Sequence, residues 1–204
     1  MRDGTFYGCC TCIGSAGIGL LGLDSVLEDD KTILVNDCFD GSVHTKDVDI
    51  KISGDFLKTG RARLNIKSKK DILLRIPSWS KATITVNNKE IIIDDKVINI
   101  GNGSLEVDID FKPEVTPFVV QDQVAFKYGD VVLGLDEMNN PYINIEEIKA
   151  SDITNFKLID NIETEIVSFE ANYQNKKLIF KDYASCGKYW NQPKQYLTAF
   201  IKRS

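Results

Sequence analysis

The residues best suited to chemistry are three cysteines close to the start of the chain, Cys9, Cys10 and Cys12. Thiolates are soft ligands for zinc, and several of them in a short span can share one ion. A closed zinc site needs four ligands and a catalytic site usually takes three from protein. Cys38 and His44 are possible additional ligands, although their spacing is ordinary. The plainer alternative is that the cysteines are small apolar side chains at the start of a helix.

The position of the cysteine pair also gives a reason for thiol reactivity. Cys9 and Cys10 precede a predicted helix, where backbone N–H groups and the positive end of the helix dipole favour thiolate over thiol. A Cys–His dyad could use only His44, the single histidine of the chain. His44 lies at a predicted strand entry, so the simpler interpretation is an exposed strand or loop residue.

Acidic pairs and aromatic residues are further candidates, because glycoside hydrolysis commonly uses two carboxyl groups across a sugar bond and aromatic rings can stack on sugars. Three acidic pairs are typical of solvated turns: Asp29–Asp30, Asp94–Asp95 and Glu146–Glu147. Four aromatic residues could form a sugar platform: Trp79, Trp190, Tyr189 and Tyr142. Isolated aromatics in a β-sandwich more often pack in the core or at its edge.

Composition narrows the class of protein. The 204 residues carry a formal charge of −5 and are 43% hydrophobic, which is enough apolar content for a packed core. The acidic balance argues against a nucleic-acid binder, and no apolar run approaches the roughly 20 residues that cross a bilayer. Five cysteines, an odd number clustered at one end, favour a reducing cytoplasm over a secreted disulfide scaffold.

The elements that must position these residues are mostly strands. The chain has 24 Ile and 14 Val against 8 Ala, and β-branched side chains favour a pleated sheet. The one predicted helix, Thr11–Leu27, contains four glycines that each cost about 1 kcal/mol relative to alanine. Such a helix needs other helices to pack against, and the sequence predicts none.

After Asp30 the apolar residues alternate with polar ones, which is typical of antiparallel sheets with one buried face. Asn87–Asn88 is predicted to be a two-residue hairpin turn, and Gly101–Gly103 a second turn. Pro113 and Pro117 interrupt the pattern and predict a domain boundary. The strands predicted after this boundary are Gln123–Lys127, Val131–Leu135, Phe156–Leu158, Glu165–Phe169, Leu178–Phe180 and Leu197–Lys202.

Several segments together resemble glycoside hydrolase family 127, the bacterial β-L-arabinofuranosidase family. Tyr7–Thr11, before a glycine-rich helix and the strand Thr32–Asn36, resembles the family's double-cysteine helix and the strand after it. Leu73–Ser80 (LLRIPSWS), Val124–Leu133 (VAFKYGDVVL) and Lys181–Trp190 (KDYASCGKYW) are similar to three later family segments, in the same order. Asp130 stands where the family often has proline, so the resemblance does not fix the sugar.

The resemblance implies a fold and a set of roles. A complete member has an (α/α)₆ barrel followed by β-sandwich domains, and this chain corresponds to the last third. Cys9 then corresponds to the nucleophile, and Cys9 and Cys10 to two of the zinc ligands. The other ligands, a Glu and a Cys, and the acid/base carboxylate lie upstream in the barrel, so we expect this chain alone to bind no zinc stably. Cys12 has no implied role.

The sequence therefore predicts a mainly β protein with two antiparallel β-sandwich domains after one helix left over from the barrel. We expect residues 1–30 to be that remnant, 31–117 the first sandwich and 118–204 the second. The expected function is the non-catalytic part of a glycoside hydrolase acting on L-arabinofuranoside-type carbohydrates, inactive without the barrel, which an upstream polypeptide could supply. The alternatives are a free-standing carbohydrate-binding or assembly module and a small zinc or thiol protein that uses Cys9, Cys10 and Cys12.

Overall fold

A computed structural model describes residues 8–160, 166–187 and 196–204, except for the side chains of residues 8–13, 15 and 18. The described chain divides into two compact units. The first unit contains the residues up to Phe56 together with Gly60–Lys112, and the second contains Leu57–Thr59 and the residues from Pro113 onward. Neither described helix is long and apolar enough to cross a membrane.

The first unit contains a long helix and eight strands, with a short helix that ends in the second unit. Its elements are α1 (Gly8–Asp24), β1 (Val26–Glu28), β2 (Thr32–Val35), β3 (Gly41–His44), β4 (Val48–Asp55), α2 (Phe56–Thr59), β5 (Arg61–Arg75), β6 (Thr83–Val86), β7 (Lys89–Glu90) and β8 (Val97–Asp110). The second unit contains β9 (Val115–Val120), β10 (Gln123–Tyr128), β11 (Val131–Asp136), β12 (Ile153–Ile159), β13 (Ser168–Tyr173), β14 (Lys176–Asp182), β15 (Leu197–Thr198) and β16 (Ile201–Lys202). Three single-turn 3₁₀ helices lie at Ile145–Glu147, Ala150–Asp152 and Tyr183–Ser185.

The sheet of the first unit is built on its two longest strands, β5 and β8, which pair antiparallel along most of their length. The order of its strands is β1-β2-β5-β8-β6-β7, with β4 on β5 and β3 on β4. Alternate residues of β5, among them Leu64, Ile66, Ile72 and Leu74, are buried in one core. The sequence alternation predicts this one-sided burial because successive strand residues face opposite sides of the sheet. One pair departs from the antiparallel pattern, since β2 lies parallel to β5.

The predicted turn at Gly101–Gly103 is wrong, because these residues belong to the single strand β8. Gly101 and Gly103 have φ values of 88° and 92°, which only glycine adopts easily, and the pairing of β8 with β5 shifts register here. The segment is therefore a β-bulge region within a strand. The carboxylate of Asp71 on β5 accepts hydrogen bonds from Asn102 Nδ2 at 2.6 Å and Asn99 Nδ2 at 3.3 Å across the bulge.

The hairpin predicted at Asn87–Asn88 is confirmed. Both residues have positive φ, at 49° and 63°, and Val86 pairs with Lys89 across the turn. These angles are typical of the type I′ turn that joins tightly twisted strands. Asn87 further fixes the turn, since its Oδ1 accepts a hydrogen bond from the Glu106 N–H at 2.8 Å.

The second unit has its own sheet and core. The strand order is β12-β13-β14-β11-β10-β16, with β9 on β10 and β15 on β11, and every pair among these described strands is antiparallel. The core contains a cluster of edge-on and tilted rings, Phe126, Phe156, Phe169 and Phe180, whose centroids lie 4.8–6.4 Å apart. The segment predicted as one strand over Leu197–Lys202 is two short strands, β15 and β16.

Candidate functional site

The cysteine segment lies inside a helix rather than before it. The predicted helix began at Thr11, but α1 begins at Gly8 and therefore contains Cys9, Cys10 and Cys12. The side chains of these three cysteines lie outside the described residues. Within the described residues, the backbone of all three cysteines lies in the first two turns of α1.

The described leucine side chains of α1 are exposed. Leu20 is 56% exposed, Leu21 51% and Leu23 70%. The helix ends beside a groove of about 370 Å³, whose apolar lining comes mainly from Leu21, Val26, Phe39, Val43 and Ile52. The described residues also form a second α-helix, the four-residue α2, which the sequence did not predict.

The two additional ligands suggested by the sequence have ordinary structural roles. Burial and, to a smaller extent, the neighbouring charge of Asp37 together raise the pKa of the Cys38 thiol to about 12. His44 lies exposed on β3, where its Nδ1 is 3.1 Å from Asp49 Oδ1 on β4. Within the described part of the chain, no three potential metal-ligating side chains lie together.

All three acidic pairs are exposed, as predicted, but Glu146–Glu147 lie in a 3₁₀ helix rather than in a turn. Asp29 closes the β1–β2 turn, since its carboxylate accepts hydrogen bonds from the backbone N–H of Thr32 at 2.6 Å and of Lys31 at 2.7 Å. These bonds lower the pKa of Asp29 below its ordinary value. Asp94, Asp95, Glu146 and Glu147 are also exposed. None of the three pairs therefore combines a buried, protonated carboxyl group with an ionised one, as an acid/base pair would.

Two of the four aromatic candidates lie within the described residues, and they differ in role. Trp79 packs in the first core, with its ring 6.2 Å from that of Phe111 and 6.4 Å from that of Phe56. Trp79 is therefore half-buried against the core, which favours the packing role over a sugar platform. Tyr142 is 88% exposed in the second unit. Tyr189 and Trp190 lie outside the described residues.

The structure contains a buried polar network between the antiparallel strands β11 and β14, which sequence reasoning missed. Asp136 at the end of β11 is 1% exposed, and its Oδ2 lies 3.1 Å from Lys181 Nζ on β14. The same carboxylate accepts hydrogen bonds from the backbone N–H of Gly187 at 3.0 Å and of Met138 at 2.8 Å. Burial raises the pKa of Asp136, but these N–H groups and the Lys181 ammonium outweigh it, so that the pKa is lowered overall.

Asp182 continues the network on the next residue of β14. Its carboxylate accepts hydrogen bonds from the backbone N–H and the hydroxyl of Ser185, at 3.0 and 2.8 Å, and from the backbone N–H of Ile166 and Val167. The 3₁₀ turn Tyr183–Ser185 is thus capped by Asp182. The network holds the strand end and the turn after it in one conformation, which is a structural role.

Part of this network lies in Lys181–Cys186. The family resemblance includes this segment, but the sequence alone gives no physical reason for its residues. One feature of the sequence could have indicated the network. The apolar strand Leu178–Phe180 is followed directly by two charged residues, Lys181 and Asp182, which would need buried partners. Nothing in the local sequence indicates that Asp136 is the partner of Lys181, because the two residues meet only through the β11–β14 pairing.

Comparison with solved structures identifies the fold. The chain is similar over 98% of its length to Ara127N-Se, a GH127 β-L-arabinofuranosidase from Geobacillus stearothermophilus T6, with a TM-score of 0.73 and 16% identity. It is similar to the GH127 β-arabinofuranosidase BT3674 (TM-score 0.69, 14% identity, 98% of this chain) and to a structure described as a glycoside hydrolase (0.68, 17%, 100%). The sequence matches no protein-family model and no curated protein.

The chain spans 38%, 39% and 41% of those three structures. It therefore has the fold of a part of GH127 β-L-arabinofuranosidases, and the mainly β architecture predicted from its sequence is confirmed. At these identities the likeness concerns fold, while activity depends on particular side chains.

Proposed function

We propose that this chain is part of a glycoside hydrolase that acts on L-arabinofuranoside-type carbohydrates, with two non-catalytic β units and one helix, α1, that borders the active site. Hydrolysis then requires a helical domain in addition to the 204 residues. The observation that carries this proposal is the likeness of fold over 98–100% of the chain to enzymes of which it spans only 38–41%.

The exposed apolar side chains of α1 are evidence for a helical domain that packs against it. A helix gains most of its stability from packing an apolar face, and short helices are marginal in water. Leu20, Leu21 and Leu23 are all more than half exposed in α1. Burying one such leucine contributes about 1.5–3 kcal/mol, so a helical domain that covers this face would stabilise α1 substantially.

Cys9 and Cys10 would contribute to the active site at the junction with that domain. Their thiols suit zinc, but two ligands fall short of the three or four that a protein zinc site uses. The helical domain would supply the rest, which in the resembled family are a Glu and a Cys. Zinc, when bound, keeps coordinating thiols deprotonated. The first turn of α1 favours the same thiolate form, and Cys9 would act as the nucleophile.

The test compares the chain alone with the chain joined to the helical domain that we expect to be encoded directly upstream. A nitrophenyl β-L-arabinofuranoside should release nitrophenol only with the joined protein, and Cys9→Ser should abolish that release. Cys12→Ser is the matched control and should retain activity, because Cys12 has no assigned role. Hydrolysis by the pure chain alone, or full activity of Cys9→Ser, would overturn the proposal.

A further inference from the structure

A cleft in the second unit, with one mainly polar and one mainly apolar part, has the features of a sugar-binding surface. It consists of two adjoining depressions of about 440 and 490 Å³, which share Ile143 and Lys176 in their walls. One side comes from the long connection between β11 and β12, and the other from the β13–β14 turn. All of these elements belong to one compact unit, so the cleft does not depend on how the two units are arranged.

The loop that carries the cleft is held rigidly by a buried asparagine. Asn140 is 3% exposed, and its Nδ2 donates to the backbone carbonyls of Asp136 and Ile179, each at 3.0 Å. Its Oδ1 accepts from the Ile179 N–H at 2.9 Å. The Asn140 side chain thus bonds both backbone groups of Ile179, as a neighbouring strand would, and this attaches the loop to the sheet. A surface built on such a loop loses little conformational entropy when a ligand binds.

Tyr142 projects from this rigid loop into solvent. Its side chain is 88% exposed, while the Tyr142 carbonyl accepts a hydrogen bond from Lys176 Nζ at 3.2 Å. An aromatic ring carries a large apolar surface and a polar tip, so a ring held beside this cleft offers a stacking face with a hydrogen-bonding end. The apolar face of a pyranose or furanose ring matches that surface.

The floor and rim of the cleft offer both donors and acceptors. Glu147 and Asp152 provide carboxylates, Lys149 and Lys176 ammonium groups, and Tyr173 a phenol. Burial raises the pKa of Tyr173, and the charges of Asp152 and Glu147 raise it further, so the phenol keeps its proton and can donate it to an acceptor. Asn139 lines the same cleft, and among the described residues its buried Oδ1 has no hydrogen-bond donor.

We infer that this cleft binds a segment of oligosaccharide, with one sugar ring stacked on Tyr142 and its hydroxyl groups bonded to Glu147 and Lys176. The mixed signs of charge and the net charge of −5 fit a neutral polyhydroxylated ligand better than a nucleic acid. The inference goes beyond the proposed function and does not rest on it, because a binding surface could serve this chain with or without a catalytic domain.

Binding can be measured by titration calorimetry on the full chain, with linear arabino-oligosaccharides in one arm and xylo-oligosaccharides in the other. We expect saturable binding in at least one arm and an affinity about tenfold weaker in Tyr142→Ala, as befits the loss of one aromatic stacking contact. The matched control is Ile92→Ala, since Ile92 is also 88% exposed but lies in the first unit. It should bind as the unchanged chain does.

Urea unfolding of Tyr142→Ala should match that of the unchanged chain, because the ring is already in solvent. No binding in either arm, or equal affinity with and without the Tyr142 ring, would overturn the inference. Since no sugar bond is broken in this experiment, its failure is distinct from failure of the hydrolysis test.

Discussion

Lys181 and Asp136 show how much a single buried ion pair can matter within the second unit. The Lys181 side chain is 6% exposed and lies against a carboxylate that is also buried. Removal of one partner of such a pair leaves the other charge uncompensated in a medium that solvates it poorly. The neighbouring Lys177, on the same strand, pairs with Glu170 at 2.9 Å but is 58% exposed.

We predict that Lys181→Met lowers the free energy of unfolding by about 3–5 kcal/mol. Lys177→Met is the matched control, and its cost should stay below about 1 kcal/mol because solvent screens an exposed pair. Urea denaturation followed by circular dichroism measures both. Equal costs for the two variants would show that the Asp136–Lys181 pair is not a stabilising element.

The lowered pKa of Asp136 makes part of the stability depend on pH. A carboxyl group whose pKa in the folded state lies below its ordinary value of 3.8 stabilises the fold above that value. The contribution is lost as the pH falls through the lower, folded-state pKa. We therefore predict that unfolding free energy declines less in Asp136→Asn than in the unchanged chain between about pH 5 and pH 2. Parallel pH profiles for the two proteins would contradict this assignment.

Cys38 and Cys186 should be chemically inert in the folded chain. Burial raises the pKa of each thiol to about 12, so very little thiolate exists near neutral pH. Iodoacetamide at about pH 8 should label both residues slowly in the native protein and rapidly in urea, as peptide mass mapping would show. Labelling at the same rate in both conditions would mean that the two thiols are accessible in the folded state.

At the scale of elements, α1 and the sheets differ in what supports them. The strands of the first unit bury alternate side chains in a shared core, whereas the described leucines of α1 face solvent. Exposed apolar patches favour self-association. The helix is therefore the element most dependent on a neighbour.

We predict that Leu20→Glu combined with Leu23→Glu reduces self-association of the chain, measured by light scattering. The free energy of unfolding of the sheets should change by less than about 0.5 kcal/mol, because neither side chain is in a core. Ile92→Glu serves as the control, since its side chain is 88% exposed but belongs to a different part of the first unit. Unchanged scattering of the double variant would show that α1 does not drive association.

How far the sequence predicted each element depends on whether its cause is local. The Asn87–Asn88 hairpin was predictable because asparagine tolerates the positive φ of a type I′ turn. Gly101–Gly103 was misassigned because glycines with positive φ serve β-bulges as well as turns, and only the pairing with β5 distinguishes the two. The partners of Asp136 and Asn140 were beyond prediction, since they meet across strands far apart in the chain.

At the scale of the whole molecule, two independent sheets with separate cores follow one helix of a different character. The likeness to GH127 structures covers all three elements of this organisation. Leu20, Leu21 and Leu23 of α1 are more than half exposed, as expected of a helix that packs against a further helical domain. The proposed function therefore predicts that α1 is not stabilised by the described sheets alone.

Hydrogen exchange of the backbone amides, measured on the monomeric chain at low concentration, tests that claim most directly. A 17-residue helix interrupted by glycines is marginal without packing. We predict that the amides of α1 exchange close to the rate of an unfolded peptide, while those of β5 and β8 are protected to the level of global unfolding. Protection of α1 equal to that of β5 and β8 would contradict the claim, because it would show that the helix is already packed.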